Sequence, residues 1–261
     1  MSAFRMEAHR GLSSYAPEST FIALREAVDE GFSMAELDVS FTADGRAVIL
    51  HDETLNRTAR GRDGSPPAAT LPLSSLTLTQ AREYDYGIWR GERFAGQELM
   101  TLEQALDFSA ESGLSLKLDN RLERYTPEQT ERFIEILKAA ARPELIGITC
   151  KTPSVLARYA ALLPQCELHY DGALDDGSLT HVAESATGHR LTIWTCYPCP
   201  ATEWYKGERA DPVLCDRIRA YGEVGVWMLT DICQLADAIC NLRADIVETD
   251  GSVRPMDVFE I

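Results

Sequence analysis

Residues 145–170 read LIGITCKTPSVLARYAALLPQCELHY, and this stretch decides the fold. Residues 145–149 are an apolar run of strand length. Thr152-Pro153 then offers a capping hydroxyl ahead of a proline at a first helical position, and 153–162 carries apolar residues at helical spacing. A second short run follows at 167–170. Strand, helix and strand in so short a span form a crossover that joins two parallel strands.

The same rhythm extends in both directions. Further strand-length runs lie at 6–8, 35–39, 47–50, 114–118, 191–195, 224–229 and 246–248, and helical patterns at 19–30, 102–112, 127–141, 212–221 and 233–242. Thr126-Pro127 repeats the Thr-Pro helix opening. The repeat predicts an α/β fold, a TIM-type (β/α)8 barrel in a single domain over 1–261, close to the roughly 250 residues such a barrel uses. Nine strand candidates compete for eight places, and the short ones at either end are expected to be bridges or to lie outside the ring. Residues 53–100 break the rhythm: Gly, Pro, Ser and Thr crowd 61–75 and no long helix is patterned, which predicts a small insertion over the barrel mouth.

Composition narrows the function. With 45% hydrophobic and 25% charged residues the chain can build a large core, and its formal charge of -16 opposes duplex nucleic acid and anionic bilayers as partners. No run approaches the roughly 20 apolar residues of a membrane span, so stable membrane insertion is not expected. Residues 1–6 lack the pattern of a signal peptide, and a cytoplasmic location is the default. Seven cysteines without a framework fit a reducing compartment. Cys196-Tyr197-Pro198-Cys199 has the spacing of a redox centre or half a zinc site, but without a second pair it reads as buried small residues. Nothing in the sequence assigns an oligomeric state.

In such a barrel the working residues sit at the C-terminal ends of strands. His9-Arg10-Gly11 follows the first run, Glu36-Leu37-Asp38 lies in the second, and His51-Asp52 closes the third. Period-two spacing sends Glu36 and Asp38 to one side of their strand. Two inward carboxylates need a cation, protons or an ion pair with a base such as Arg10, and oxygen donors of this kind suit Mg²⁺ or Ca²⁺. His9 and His51 bracket that pair and are suited to moving protons near neutral pH.

The segments Ala8-His9-Arg10-Gly11, Ala16-Pro17-Glu18-Ser19-Thr20, Glu36-Leu37-Asp38-Val39, Thr42-Ala43-Asp44-Gly45 and His51-Asp52-Glu53-Thr54-Leu55-Asn56-Arg57-Thr58 resemble, in order and spacing, the signature of the glycerophosphodiester phosphodiesterase family. The likeness continues more sparsely through Phe94-Ala95-Gly96, Thr101-Leu102-Glu103, Val226-Trp227 and Glu248-Thr249-Asp250. It implies a metal-dependent phosphodiesterase acting on a small glycerophosphodiester, with His9 and His51 as an acid and base pair in either order and Arg10 holding phosphate. Where the family has Glu-x-Lys on its fourth strand, this chain has Asp119-Asn120-Arg121, which makes Asp119 the third metal ligand beside Glu36 and Asp38, and Arg121 a second phosphate holder. A rival register puts Lys117 at the ligand position. Lys117 and Trp227 are further candidates for substrate contact. The resemblance allows release of a cyclic phosphate in place of attack by water, and the altered fourth strand allows a catalytically silent phosphate-binding barrel. The aromatic segment from Trp194 to Trp204, with Tyr197 and Tyr205, either stacks on a sugar or apolar head group or packs its own loop.

Overall fold

The structure, a computed structural model, describes residues 4–119 and 122–260, so Arg121 lies outside the described residues. Strand β1 (Arg5–His9) leads to α1 (Phe21–Asp29), then β2 (Met34–Leu37), β3 (Val39–Phe41) and β4 (Ala47–Ile49). The insertion holds only a short helix, α2 (Leu78–Ala81), beside single 3-10 turns. After α3 (Leu102–Ser112) the chain alternates β5 (Ser115–Leu118), α4 (Pro127–Lys138), β6 (Ile146–Cys150), α5 (Pro153–Leu162), β7 (Glu167–Tyr170) and α6 (Asp176–Ser185). It ends with β8 (Leu191–Cys196), α7 (Pro212–Arg219), β9 (Glu223–Leu229), α8 (Ile232–Cys240) and β10 (Ile246–Thr249).

Eight strands close a parallel barrel in the order β1-β10-β9-β8-β7-β6-β5-β2. The expected odd strand out was misplaced. Both end strands belong to the ring, because β1 pairs β10 on one side and β2 on the other and so closes it. The outsider is the candidate at 47–50: β4 pairs antiparallel with β3, Val39 opposite Ile49, across a turn far too short for a crossover. The helix α6 was missed because its apolar stripe is thin, with only Leu179 and Val182 buried; Asp175 caps it. Thr126 caps α4 through a full capping box as read, whereas Thr152 makes no side-chain cap for α5. Glu123 Oε1 instead accepts from the Lys151 and Thr152 amides at 2.7 and 3.2 Å.

The two faces of the ring differ sharply in chemistry. Outward positions such as Met6, Ala8, Leu37, Leu116, Leu118, Ile146, Ile148, Leu168, Ile193, Val224, Val226 and Val247 pack into one apolar core with the helices. The alternate positions face one another across the barrel and are largely polar. At the N-terminal end, Arg5 reaches Glu167 at 2.8 Å and Glu223 at 3.0 Å, and Arg190 reaches Glu223 at 2.9 Å, closing the floor. One level up, the Lys117 ammonium sits 2.6 Å from Glu7 and 2.5 Å from Glu248, and 3.7 Å from the centre of the Trp194 ring. The Trp194 indole donates to His169 Nδ1 at 3.0 Å, which leaves the ring proton of a neutral His169 on Nε2, toward Glu167.

Two glycines make room for these large interior side chains. A Cβ on Gly147 would lie 2.3 Å from His169 Nε2, and one on Gly225 would lie 2.5 Å from Trp194 Cδ2. The insertion, by contrast, packs on its own small core of Val48, Leu50, Leu55, Ala59, Leu73, Ala81, Tyr86 and Leu99. Asp85 pins it by accepting from the amides of Gly87 at 2.7 Å and Ile88 at 2.9 Å. Gly225→Ala is expected to destabilise the protein by about 1–3 kcal/mol through overpacking against Trp194. A lowered urea midpoint with an unchanged slope would show it, and an unchanged midpoint would mean that the indole can move aside.

Candidate active site

The site begins with a turn that the backbone makes sharply. After β1 the chain passes through positive φ at Arg10 (58°) and Gly11 (78°). A Cβ on Gly11 would come within 2.8 Å of Ala23 on α1, so this position requires glycine. The turn stands His9 at the barrel mouth and aims the Arg10 amide at Glu36 Oε2, 3.2 Å away. His9 Nε2 lies 3.8 Å from the same carboxylate oxygen, as register predicts for residues paired on neighbouring strands.

Glu36 is the next-to-last residue of β2, and Asp38 follows two residues on as the chain leaves the ring. Asp119 leaves β5 beside them, its amide donating to the Leu37 carbonyl at 2.9 Å. Each of Glu36, Asp38 and Asp119 brings a carboxylate oxygen to within 4.8 Å of the others. Burial pushes the Glu36 carboxyl well up, and the charges of Asp38 and Asp119 push it further. Three hard oxygen donors converging on one point form a set that could hold a divalent metal ion.

Lys117 does not join that set. It pairs in register with Glu36, but its ammonium is turned down into the barrel and engaged by Glu7, Glu248 and the Trp194 face. Burial pushes Glu7 up. Glu248 is held low despite its burial, because Lys117 lies against it.

A second arm approaches from the β4 end. His51 Nδ1 lies 2.6 Å from Asp52 Oδ1. Against the burial that would raise it, hydrogen bonds from Arg57 and His51 bring Asp52 down to about 2, so it is a carboxylate that only accepts and His51 Nδ1 donates. Arg57 bridges Asp52 at 2.7 Å to Glu18 at 2.6 Å. Glu18 in turn takes Arg10 at 2.9 Å, and Arg10 Nε reaches Asp38 at 3.4 Å. One chain of alternating charge thus runs from His51 to the acid cluster.

His9, Arg10, Glu36, Asp38, His51, Lys117, Asp119 and Trp227 all line one cavity of about 670 Å³. His9 is held down to about 4, chiefly by burial, so its imidazole is neutral near neutral pH. The cavity also takes Thr149, Lys151 and Asp171, which the sequence reading passed over, and Glu248, which it quoted only within the family resemblance. Lys151 and Asp171 each directly follow a strand, β6 and β7, and the strand-end rule that found His9 would have found them. Asp171 is raised to about 6, mainly by burial, with Lys151 opposing. On the far side stand Trp204, Tyr205 and Trp227, with Trp204 stacked on Trp227 at 5.9 Å and 25°. Cys196 and Cys199 are free and buried, and the Cys199 thiol faces Thr202 at 3.6 Å.

Residues 9–190 match the model of the glycerophosphoryl diester phosphodiesterase family, a span that holds every acid and histidine just described except Glu7 and Glu248. A glycerophosphodiester phosphodiesterase of Caldanaerobacter subterraneus is 32% identical over 133 residues, 50% of this chain and 51% of that protein. Glycerophosphodiester phosphodiesterase 1 of Bos taurus is 36% identical over 114 residues, 43% of this chain and 32% of that protein. The chain thus spans about half the length, or less, of these curated relatives. Among solved structures, an Oleispira antarctica phosphodiesterase in complex with its product sn-glycerol-3-phosphate superimposes with a TM-score of 0.73 at 23% identity, covering 95% of this chain and 93% of that one. The glycerophosphodiester phosphodiesterase of Thermotoga maritima gives 0.65 at 19% identity, covering 100% and 98%. Both structural likenesses are of fold. On the match over 9–190, the chain belongs to the glycerophosphoryl diester phosphodiesterase family.

Proposed function

We propose that the protein hydrolyses a glycerophosphodiester to glycerol phosphate and an alcohol, using His9 and His51 as base and acid beside a metal held by Glu36, Asp38 and Asp119. The observation that carries this reading is that two histidines line one cavity with three converging carboxylates. Phosphodiesters resist attack because their own negative charge repels nucleophiles, so a site must neutralise the phosphoryl oxygens and manage two protons.

A bound Mg²⁺ or Ca²⁺ supplies that neutralising charge at a phosphoryl oxygen. Arg10 places a guanidinium at the same rim, fixed by Glu18 and Asp38, and Lys151 adds a second cation to the lining; Arg121 is proposed as a further phosphate holder. His9, neutral by burial, takes a proton of the attacking water. His51, oriented through Nδ1 by the Asp52 carboxylate, gives a proton from Nε2 to the departing alcohol oxygen. One P–O bond forms, one breaks, and the proton taken by the first histidine matches the one given by the second. Lys117, with its ammonium already engaged, helps by fixing Glu248 and the barrel floor under the site. A cavity of about 670 Å³ suits a small diester, and in the cytoplasm the seven cysteines would stay reduced.

Three outcomes follow. Chelation should abolish hydrolysis of glycerophosphodiesters, and His9→Ala and His51→Ala should each lower kcat by about 100-fold or more; phosphorus NMR should show glycerol phosphate as product. Full activity in either variant, or a cyclic phosphate as the end product, would overturn the scheme. Calorimetric titration with Mg²⁺ or Ca²⁺ should show that Asp119→Ala weakens metal binding more than Lys117→Ala does. In Asp52→Asn the imidazolium form of His51 loses its carboxylate partner, so the protonated acid should be lost earlier as pH rises. The alkaline limb of the kcat profile should therefore move to lower pH, and an unmoved limb would remove His51 from the acid role.

A further inference from the structure

The carboxylate behind His51 does not serve the histidine alone. Asp52 Oδ1 meets His51 Nδ1 at 2.6 Å, and the same oxygen accepts from Arg57 Nη2 at 3.0 Å while Oδ2 accepts from Arg57 Nε at 2.7 Å. A second fork of the same guanidinium holds Glu18, Nη1 donating to Oε2 at 2.6 Å and Nη2 to Oε1 at 2.8 Å. Paired contacts on two carboxylates at once need the flat guanidinium and are beyond an ammonium. Glu18 Oε1 is shared in turn with Arg10 Nη1 at 2.9 Å. Of this chain only His51 and Arg10 line the cavity, so Asp52, Arg57 and Glu18 act on a ligand there through one or the other.

A carboxylate beside an imidazolium favours the charged form of the ring, and a general acid works best when it releases its proton near the operating pH. Left alone with His51, Asp52 would bind the imidazolium too tightly for that task. Arg57 sets a positive charge against the same carboxylate and offsets part of the pull. Glu18 offsets part of the charge of Arg57. Both acids stay ionised where a histidine titrates: burial raises them, but the hydrogen bonds of Arg57 and His51 bring Asp52 down to about 2, and those of Arg57 and Arg10 with their charges lower Glu18. The fixed charges behind the ring therefore alternate, minus at 52, plus at 57 and minus at 18, and each acts on the ring with the opposite sign to the one before it.

We infer that Arg57 is a positioning residue that sets the strength of His51 as an acid: it fixes the Asp52 carboxylate behind the ring and offsets its charge, so that the imidazolium releases its proton near neutral pH. The inference rests on the phosphodiesterase reading for the acid role of His51 but not for the coupling of charge to the ring. Other charged and titratable groups share the cavity with His51: His9, Arg10, Glu36, Asp38 and Asp119 at the ends of β1, β2 and β5, Lys151 and Asp171 after β6 and β7, and Lys117 and Glu248 below them. Glu53, next to Asp52, pairs with Arg124 at 3.6 Å, and both are exposed. All of these keep their identity in the variants compared, so the sign of a shift reports the charge that was changed.

The test follows the alkaline limb of the kcat profile, where the protonated acid is lost, in Arg57→Met, Glu18→Gln and Arg57→Lys. Arg57→Met leaves Asp52 to His51 alone, so the limb should move up by about half a pH unit to one unit; the Arg57 side chain is 44% exposed, and solvent screening keeps the shift to that size. Glu18→Gln leaves the charge of Arg57 less opposed and should move the limb down. Arg57→Lys keeps the charge without the fork, so the limb should stay near its wild-type position while kcat falls. Alternation of sign is what charge transmits; a merely structural role would lower kcat in all three and leave the limb in place. An unmoved limb in Arg57→Met, or shifts of one sign in Arg57→Met and Glu18→Gln, would overturn the inference and leave the phosphodiesterase reading intact. Should Arg57→Met fail to fold, the direction of the Glu18→Gln shift decides alone. If no diester is hydrolysed, the phosphodiesterase reading has failed, and NMR titration of the His51 ring, assigned by its loss in His51→Asn, still decides the coupling. A midpoint that rises in Arg57→Met and falls in Glu18→Gln supports it, and a midpoint that moves in neither overturns it.

Discussion

The organisation of this protein depends on keeping charge balanced inside a barrel whose interior is polar. Burying an ionised group without compensation costs several kcal/mol, so each charged level of the interior must find its own partners. At the floor, Arg5 and Arg190 answer Glu167 and Glu223. In the middle, Lys117 answers Glu7 and Glu248. At the mouth Glu36, Asp38 and Asp119 converge, with Arg10 shared between Asp38 and Glu18. The apolar core, placed outside the ring against the helices, stabilises the fold and so tolerates this concentration of carboxylates at one end. Three converging oxygen donors make the mouth a place that could hold a cation.

The mouth is held in shape by charge as well. Arg57, Glu18 and Arg10 link the loop bearing His51 to the turn after His9 and to Asp38, so the two histidines are positioned by one network although they come from separate arms. This accounts for two stretches of the family signature that carry no chemistry of their own. Pro17-Glu18 and Asn56-Arg57 supply the acid and the guanidinium of the bridge, and Asn56 further ties its loop to Ala69 and Leu71. Arg57 offers a planar fork to both carboxylates at once, a geometry that a lysine could not reproduce.

Much of this was legible in the sequence, for identifiable reasons. The βα rhythm follows from the alternation of strand runs and amphipathic helices, and the histidines and acids stand out because polar residues at strand ends are costly without a function. The strand at 47–50 was misassigned because periodicity reports a strand but not its partner; only the short turn after β3 reveals the hairpin. Lys117, Glu7 and Glu248 were harder. Each lies in a run that otherwise looks buried, and the pairing of residues more than a hundred positions apart is set by the closure of the ring, which no local pattern encodes. His169 escaped for the same reason, and Trp194, read as part of an aromatic loop segment, lies instead inside the barrel against Lys117 and His169.

The two registers offered for the fourth strand place Lys117 and Asp119 at different levels of the barrel interior. Lys117 and Asp119 both point inward, two residues apart, so they occupy different levels of the barrel and answer different charges. At the lower level an ammonium is required, since Glu7 and Glu248 face each other in direct register on β1 and β10. At the upper level an acid is required, to complete the oxygen set with Glu36 and Asp38. An acid at 117 would have placed a third carboxylate beside Glu7 and Glu248 with no cation in reach. A lysine at 119 would have filled the metal position with its own ammonium. The two residues cannot be exchanged, and the register of β5 against β2, with Glu36 opposite Lys117, fixes which is which.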